Sequence, residues 1–474
     1  MKYLAAFLFF SAQILAQTGS VGHSSPRETA MGETYSAVSR GIYSFGNNPA
    51  NLSMSKDFHF ELGSFLPLPN INVRGGNNFI NIEDYNYFFG GVETDSGKEG
   101  RTLTESDKSR FKEMLSDGAA VFADYSITFL SFSYTVNDKI GAFGFSMTDA
   151  ASARVSMPKI ATDLIFEGNK PGNYDFGDAH GKASYLRTYS LSYSRPLNEI
   201  KQNIFDKISF GFSIKYVQGM AYVGLDNSDM QFNTNNYFEL NARSAVHAYS
   251  SFSPDLGVEY DFDSLNASKP KSNETFFPAP AGTGIGVDLG TTFKLNDAWQ
   301  FALAVTDIGS IKWKREAAEF TSNWDISLND LTDTLQTDNL GDSIEIKQRK
   351  IDGFTTQMAT ALRVGASLQL NEIVDGFPGE MLLAFDYTQG FNDEPGNSPE
   401  PRFSFGFEWK PCAWIPYIRS GVSAGGEDDF SWAIGMGMDA GAFEFNIASS
   451  DFQYIINQNR LKKASVGIGT RWRF

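Results

Sequence analysis

Between Lys207 and Gln218 the chain places Ile208, Phe210, Phe212, Ile214 and Tyr216 on one parity and Ser209, Gly211, Ser213 and Lys215 on the other. A period of two held over a dozen residues describes a strand with one apolar face and one face of small or charged groups. The pattern returns along the chain. Ile285, Val287, Leu289 and Phe293 alternate with Gly286, Asp288, Gly290 and Lys294, and after an Asn296-Asp297 turn come Trp299, Phe301, Leu303 and Val305. Later repeats carry Leu362, Val364, Ala366 and Leu368, then Phe403, Phe405, Phe407 and Trp409, then Trp432, Ile434, Met436 and Met438.

A soluble sandwich also alternates, so the polar parity has to decide. It holds Lys215, Asp288, Arg363, Asp386, Glu408, Arg419, Glu444, Arg471 and Arg473 among Gly and Ser, while the apolar parity of these segments carries no charge. Small and mixed-charge residues fill a barrel lumen, whereas one charge facing lipid at mid-depth costs about 2–4 kcal/mol. These seven groups, Lys215, Asp288, Arg363, Asp386, Glu408, Arg419 and Glu444, are therefore the lumen-facing candidates. Connector lengths agree. Counted back from Phe474 they alternate long and short, with 450–463 long, 439–440 short, 425–429 medium, 410–413 short, 392–401 long, 371–379 medium, 309–355 very long and 296–297 short. Upstream, 137–139 is short and 148–184 long, which is the asymmetry of an outer-membrane barrel with both chain ends on the periplasmic side. The fold predicted is all-β, a transmembrane antiparallel β-barrel of about 14 strands. Sixteen strands result if 237–248 and 254–262 join the wall; otherwise they form a hairpin standing above it.

Composition excludes the competing classes. No run of about 18 apolar residues exists to cross a bilayer as a helix. A net charge of −17 argues against nucleic acid, which requires clustered Lys and Arg. No Pro-rich or Ser-rich hinge divides the 474 residues, so one large unit is expected. Met1-Lys2, the apolar stretch 4–10 and a small-residue stop at Ala16 read as a signal peptide over 1–16. That leaves an N-terminal unit over 17–56 and the barrel over 57–474, in the outer membrane of a Gram-negative envelope with its lipid as a partner.

Residues 27–52, RETAMGETYSAVSRGIYSFGNNPANL, precede the first strand. Glu28 to Ser39 is predicted as a short helix, and Gly46-Asn47-Asn48-Pro49 as a turn in which the proline pushes Asn48 to extended geometry. In its Ala30-Met31-Gly32 and Asn48-Pro49-Ala50 motifs this stretch resembles the N-terminal hatch of FadL-like outer-membrane barrels. The second Gly of that family's pattern is replaced here by Glu33, and Asn51 stands where Gly is frequent. The segment Asp307-Ile-Gly-Ser-Ile-Lys-Trp313 and the ending Trp472-Arg473-Phe474 are similar to the same group. The resemblance implies that 17–56 is a plug inside the barrel, with Met31, Gly32, Asn48, Pro49 and Ala50 as hatch or gate residues. It also implies that the strand ending at Phe474 is read by the barrel-assembly machinery.

One helix is predicted outside the wall, over 104–117, from a Thr104-x-x-Asp107 opening, apolar Phe111, Met114 and Leu115, and Gly118 as a stop. Catalytic chemistry has no recognisable carrier. His23, His59, His180 and His247 lie at no metal-ligand spacing, and Cys412 is alone. Gly282, Gly284, Gly286 and Gly290 repeat with the period of a strand rather than that of a phosphate loop. The acidic loop 425–429 fits no cation-loop spacing. No enzyme, cofactor or metal is expected.

The resemblance implies a passive transporter of hydrophobic small molecules, in which an apolar ligand enters at the outer mouth and leaves through a gap in the wall after the hatch moves. The alternative is a scaffold of the PorV kind, a barrel that holds a secreted protein at the cell surface. Connector phase makes the orientation testable. In a Cys412→Ser background, single cysteines within 321–342 should react with an impermeant thiol reagent on whole cells, while cysteines at Asn296 or Asp439 should not. The reverse pattern would reject the orientation.

Overall fold

The computed structural model describes residues 25–54, 58–64, 67–94, 97–115, 118–160, 170–177, 179–197, 204–235, 239–258, 275–328, 346–426 and 430–474. The signal peptide read over 1–16 and most of the acidic loop 425–429 fall outside these residues.

Fourteen wall strands are each antiparallel to the next. They are β1 (Phe60–Gly63, resumed at Asn70–Asn77), β2 (Ala119–Asn137), β3 (Gly141–Met157), β4 (His180–Pro196), β5 (Lys207–Thr234), β6 (Gly282–Lys294) and β7 (Trp299–Trp313). Then come β8 (Phe354–Gln357, resumed at Ala361–Gln369), β9 (Glu380–Gly390), β10 (Arg402–Lys410), β11 (Tyr417–Gly425), β12 (Phe430–Asp439), β13 (Phe443–Ser449) and β14 (Lys463–Arg473). Both parts of β1 pair with β14 on one side and β2 on the other, so the sheet closes and has no edge.

The parity read from sequence sets the faces. Outward Leu191, Ile214, Ile285 and Phe405 are 64%, 53%, 67% and 46% exposed, while inward Ser192, Ser213, Asp288 and Ser404 are buried. Trp299 and Trp409 stand where β7 and β10 meet short turns, and Trp472 stands at the same end of β14, as interfacial aromatics do.

Several elements depart from the expectation. β3 runs on to Met157 and β4 starts at His180, so the connector read over 148–184 is shorter. Alternation fades there because Ala and Ser fill both parities of 150–153. The extension exposes an exception to the uncharged outer face: Asp149 and Arg187, opposite each other, lie on the outward parity. The doubtful hairpin is replaced by a ribbon beyond the wall. β5 spans 28 residues, and its upper half pairs with Leu240–Phe252, which pairs with Ala318–Leu328, which pairs with Ile346–Lys350. Residues 254–256 form a single 3-10 turn. On the ribbon, Glu319 is held below the usual carboxylate range by the hydrogen bond from Arg349 and then by that from His247. The helix predicted over 104–117 is present as Glu105–Met114, with the Thr104 and Asp107 capping box, and a second helix not foreseen, Ile82–Phe89, packs Phe88 on Phe111.

Leu191 lies about midway up the apolar belt, with Phe145 and Ile214 as outward neighbours. Leu191→Arg should therefore cost about 2–4 kcal/mol of stability in a bilayer, while Leu191→Met should be close to neutral. Urea titration of heat-modifiable band shift on gels would show it; equal midpoints for the two variants would reverse the facing.

Candidate functional site

Residues 25–54 lie inside the wall, in its short-turn half. Their conformation is set locally. Ser25 accepts a hydrogen bond from the Glu28 amide at 3.1 Å, Glu28 answers the Ser25 amide, and Pro26 takes the first helical position, giving the helix α1 (Pro26–Ala30). The helix predicted over 28–39 stops there, because Gly32 and Glu33 both adopt left-handed backbone angles, φ 66° and 65°. Glu33 takes this conformation at the place where the hatch pattern has glycine, and it is ion-paired to Arg402 of β10. Two 3-10 turns follow, Gly41–Ser44 and Pro49–Met54.

The seat is built from inward glycines. A Cβ on Gly211 of β5 would overlap the Pro49 and Ala50 backbone, and one on Gly290 of β6 would meet Asn48. A Cβ on Gly406 of β10 or Gly421 of β11 would strike the Met31 backbone, and one on Gly435 of β12 would strike Ala30. Each of these five glycines is the fifth residue of its strand counted from the short-turn end, so they lie at one level. Met31, Tyr35, Phe45 and Leu52 then bury their side chains with Ala142, Ala302 and Ala384 of the wall.

Polar contacts complete the docking. Asn48 accepts from the Ala50 amide at 3.1 Å and donates to the Thr291 carbonyl at 3.2 Å and the Thr292 hydroxyl at 3.0 Å. Asn51 accepts from Thr292 at 2.6 Å. One carboxylate oxygen of Asp386 accepts from the amides of Tyr35 and Ser36 at 2.8 and 2.7 Å. The Ile42 amide donates to Glu61 at 2.9 Å, and Gln300 donates to the Ala37 carbonyl at 2.5 Å.

The seven lumen-facing candidates are all buried, and they fall in two groups. In the first, Arg27 of the inner segment holds Glu408 through two bonds of 2.7 and 2.6 Å, and Arg419 reaches the same carboxylate at 2.5 Å. Arg419 donates on to Asn446, which donates to Tyr43 and Glu444; Arg471 then links Glu444 to Glu61. In the second, Lys215 lies 2.8 Å from Asp288 and 2.7 Å from Asp307. Arg363 belongs there too, diagonal to Asp386 across the β8–β9 ladder, and its Nε has no hydrogen-bond partner among the described residues. Sequence reasoning missed Arg27, Glu61, Asp307 and Asn446. The first two were within reach, since a buried Arg419 and Glu444 demand further opposite charges, but the partners come from strands and turns distant in the chain.

Above the inner segment the interior becomes apolar. Leu186, Val217, Tyr222, Ile311, Trp313, Met358 and Ala359 form one buried cluster with Phe354 against it. Met358 and Ala359 enter it from the three-residue break in β8. β1 is broken as well: Gly63 pairs with Ser131 and Arg471, and pairing resumes at Asn70 with Thr128 and at Ile71 with Ile468. Asn70 patches the β14 side by accepting from the Thr470 amide at 2.9 Å, while β2 is bulged at the same level, between Thr128 and Leu130. No group of three or more His, Cys, Asp or Glu able to hold a metal occurs among the described residues, and no helix among them is long and apolar enough to cross a membrane.

Comparison with known proteins gives three findings. A family model described as "Family of unknown function (DUF5723)" matches residues 49–450. No curated protein matches the sequence. Among solved structures, the Pseudomonas putida toluene transporter TodX is 12% identical, with 96% of this chain and 99% of that one covered and a TM-score of 0.47. A Pseudomonas aeruginosa FadL homologue is 12% identical over 96% and 100% of the two chains with a TM-score of 0.45, and the CymD monoaromatic hydrocarbon channel is 12% identical over 96% and 98% with a TM-score of 0.44.

The glycine seat predicts a specific separation of barrel from inner segment. Gly421→Val adds a β-branched side chain where Met31 backbone lies, and strand propensity itself favours valine. The barrel should still assemble, but residues 25–54 should become sensitive to added protease; Gly181→Ala, with open space at its Cβ, should leave them protected. Protection retained in Gly421→Val would show that the seat does not depend on the close approach.

Proposed function

Because the chain belongs to the DUF5723 family, whose function is unknown, we propose its role from geometry: an outer-membrane β-barrel that passes hydrophobic small molecules, with residues 25–54 as its hatch. One observation carries the reading. The hatch packs against the wall backbone in the short-turn half of the lumen, obstructing a straight aqueous route, and the ladder of β1 is interrupted beside it between Gly63 and Asn70. A molecule leaving sideways through such an interruption enters the bilayer, and only an apolar molecule gains by doing so.

The apolar cluster around Trp313 and Tyr222 supports the same class of ligand. It lies above the hatch and offers rings and aliphatic groups rather than the charged lining of a porin. Burial is worth about 0.8 kcal/mol per CH₂, so a chain of several carbons supplies enough to bias the hatch between two positions. Asn48, Pro49 and Ala50 are the hatch corner seated on β5 and β6, and Met31 and Gly32 the corner seated on β10 and β11. Export by the signal peptide over 1–16 and assembly through the strand ending at Phe474 belong to this reading. A scaffold role remains the alternative, suited by the ribbon that continues β5 beyond the wall.

Deleting 29–51 distinguishes the readings. For a transporter, the barrel should assemble and conduct ions more freely in planar bilayers than the full chain. Asn48→Ala with Pro49→Ala should lower uptake of an apolar fluorophore by cells. For a scaffold, uptake should equal that of cells lacking the protein, and the same changes should instead weaken co-purification of a secreted protein. Conductance, uptake and partner recovery all unchanged by the deletion would reject the hatch as a gate in either role.

A further inference from the structure

Asp149 and Arg187 present a contradiction that the proposed transport path does not use. They are directly opposed on β3 and β4, on the same parity as Phe143 and Leu191, whose exposures of 48% and 64% mark the outer surface of the wall. Yet each is only 3% exposed. Something covers them from outside the barrel.

The cover is the chain entering β6. Arg187 gives two hydrogen bonds to Asp149, at 2.6 and 2.8 Å, and turns its remaining nitrogen to the Phe276 carbonyl at 2.5 Å. The guanidinium lies 5.6, 5.3 and 5.7 Å from the ring centres of Phe129, Phe276 and Phe277. Tyr185, the next outward residue of β4, donates to Asp149 at 2.7 Å. The rings of Phe276 and Phe277 are themselves 54% and 67% exposed, so they present apolar surface outward while their backbone shields the ion pair. At its other end the stretch is tied down by the Ala279 amide donating to Asp255, by Ser253 donating to the Ala279 carbonyl, and by the Ala281 amide donating to Gly219.

Its position matters. Phe129 is the residue at the bulge of β2, between Thr128 and Leu130, and it faces the interruption of β1 between Gly63 and Asn70. Phe276 packs edge-on against it at 5.0 Å. We propose that residues 275–277, anchored through 279–281, form an exterior strap that closes the membrane-facing side of the break in β1, with Arg187 as the positioning residue that holds it shut. The strap sits on the outer wall, reaches the lip of the break with two aromatic rings, and is anchored to a charge pair that has no other reason to occupy an outward, bilayer-level site. A molecule emerging through the break lifts the Phe276 and Phe277 rings from Phe129; the Asp149 carboxylate keeps Arg187 neutralised while its third contact is broken. The closing role rests on the transport reading, whereas the placement of the strap does not.

The test therefore has two arms. In a Cys412→Ser background, Phe277→Cys is labelled with bimane and the protein reconstituted in liposomes containing lipids brominated on their acyl chains. Quenching by these lipids and insensitivity to aqueous iodide are expected; quenching by iodide alone would place the strap away from the lipid-facing wall and overturn the proposal. In the second arm, Arg187→Gln with Asp149→Asn keeps the shape of the pair and removes its charge, and Phe276→Gly with Phe277→Gly removes the rings if the first variant fails to assemble. Uptake of N-phenylnaphthylamine into the liposomes should rise roughly fivefold, as loss of one net hydrogen bond would give. Unchanged uptake, with the bimane label of the charge-free variant showing faster anisotropy decay, would overturn closure by the strap. Wild-type liposomes no better than empty ones would remove the transport reading and closure with it, while the quenching arm would still decide where the strap lies.

Discussion

The close approach of one backbone to another is the constraint on which the rest of this structure depends. Gly211, Gly290, Gly406, Gly421 and Gly435 let the inner segment lie against the wall where a methyl group would already collide. Glycine weakens a strand, since it brings no side chain to pack and the largest entropic loss on ordering. Five such positions at one level make sense only if something docks there. The docked backbone recovers the loss through hydrogen bonds that need this proximity: Asn48 to the Thr291 carbonyl, and Tyr35 and Ser36 to Asp386. Wall and inner segment are thus parts of one packing solution, and neither set of residues is intelligible alone.

Charge divides that solution into two unequal halves. From β10 round to β1, Arg27 and Arg419 share Glu408, and Arg471 bridges Glu444 and Glu61, so three guanidiniums balance three carboxylates and all are hydrogen-bonded. From β5 to β9, Lys215 and Arg363 stand among Asp288, Asp307 and Asp386, with Glu28 of the inner segment beside Arg363. Here carboxylates outnumber cations, and single oxygens of Asp288, Asp307 and Asp386 have no hydrogen-bond partner among the described residues. A balanced buried network is costly to break, because removing one member strands another, while an unbalanced one is already strained. The inner segment's salt bridges to the wall, Arg27–Glu408 and Glu33–Arg402, both go to β10.

Much of the barrel was legible because its period of two is enforced on every strand by an apolar surround. Leu362, Phe405 and Met436 face outward as their parity required, while connector phase admitted both 14 and 16 strands, of which the wall has 14. What escaped was whatever obeyed a different rule. The helix read over 28–39 ends at Ala30, because its length rested on Ala30, Tyr35, Ala37 and Val38 having helical spacing, whereas those side chains fit separate pockets of the wall between turns. Glu33 shows the limit of pattern matching: a left-handed residue other than glycine costs about 1–2 kcal/mol, offset here by Arg402, a partner 369 positions away that no local motif announces. Asp149 and Arg187 escaped for the opposite reason. Small residues on both parities of β3 erased the alternation that would have flagged them as outward charges.

That pair also shows how the rule of an uncharged outer face is kept when a charge occurs. An unshielded Arg on the outer face costs up to about 2–4 kcal/mol in a bilayer, the value at mid-depth, and pairing alone leaves one edge of the guanidinium facing lipid. At Arg187 the third nitrogen meets a backbone carbonyl and three aromatic faces, so lipid contacts rings instead of charge. The arrangement holds residues 275–277 against the outside of the wall before the chain enters β6, a path costly in backbone order. Two features make the path affordable: Pro278 and Pro280 restrict the chain before it folds, and the strap's amide and carbonyl at Ala279 are both satisfied by the turn at Ser253–Asp255. A charge pair and an external loop that would each be unstable in lipid therefore stabilise one another, beside the interruption of β1.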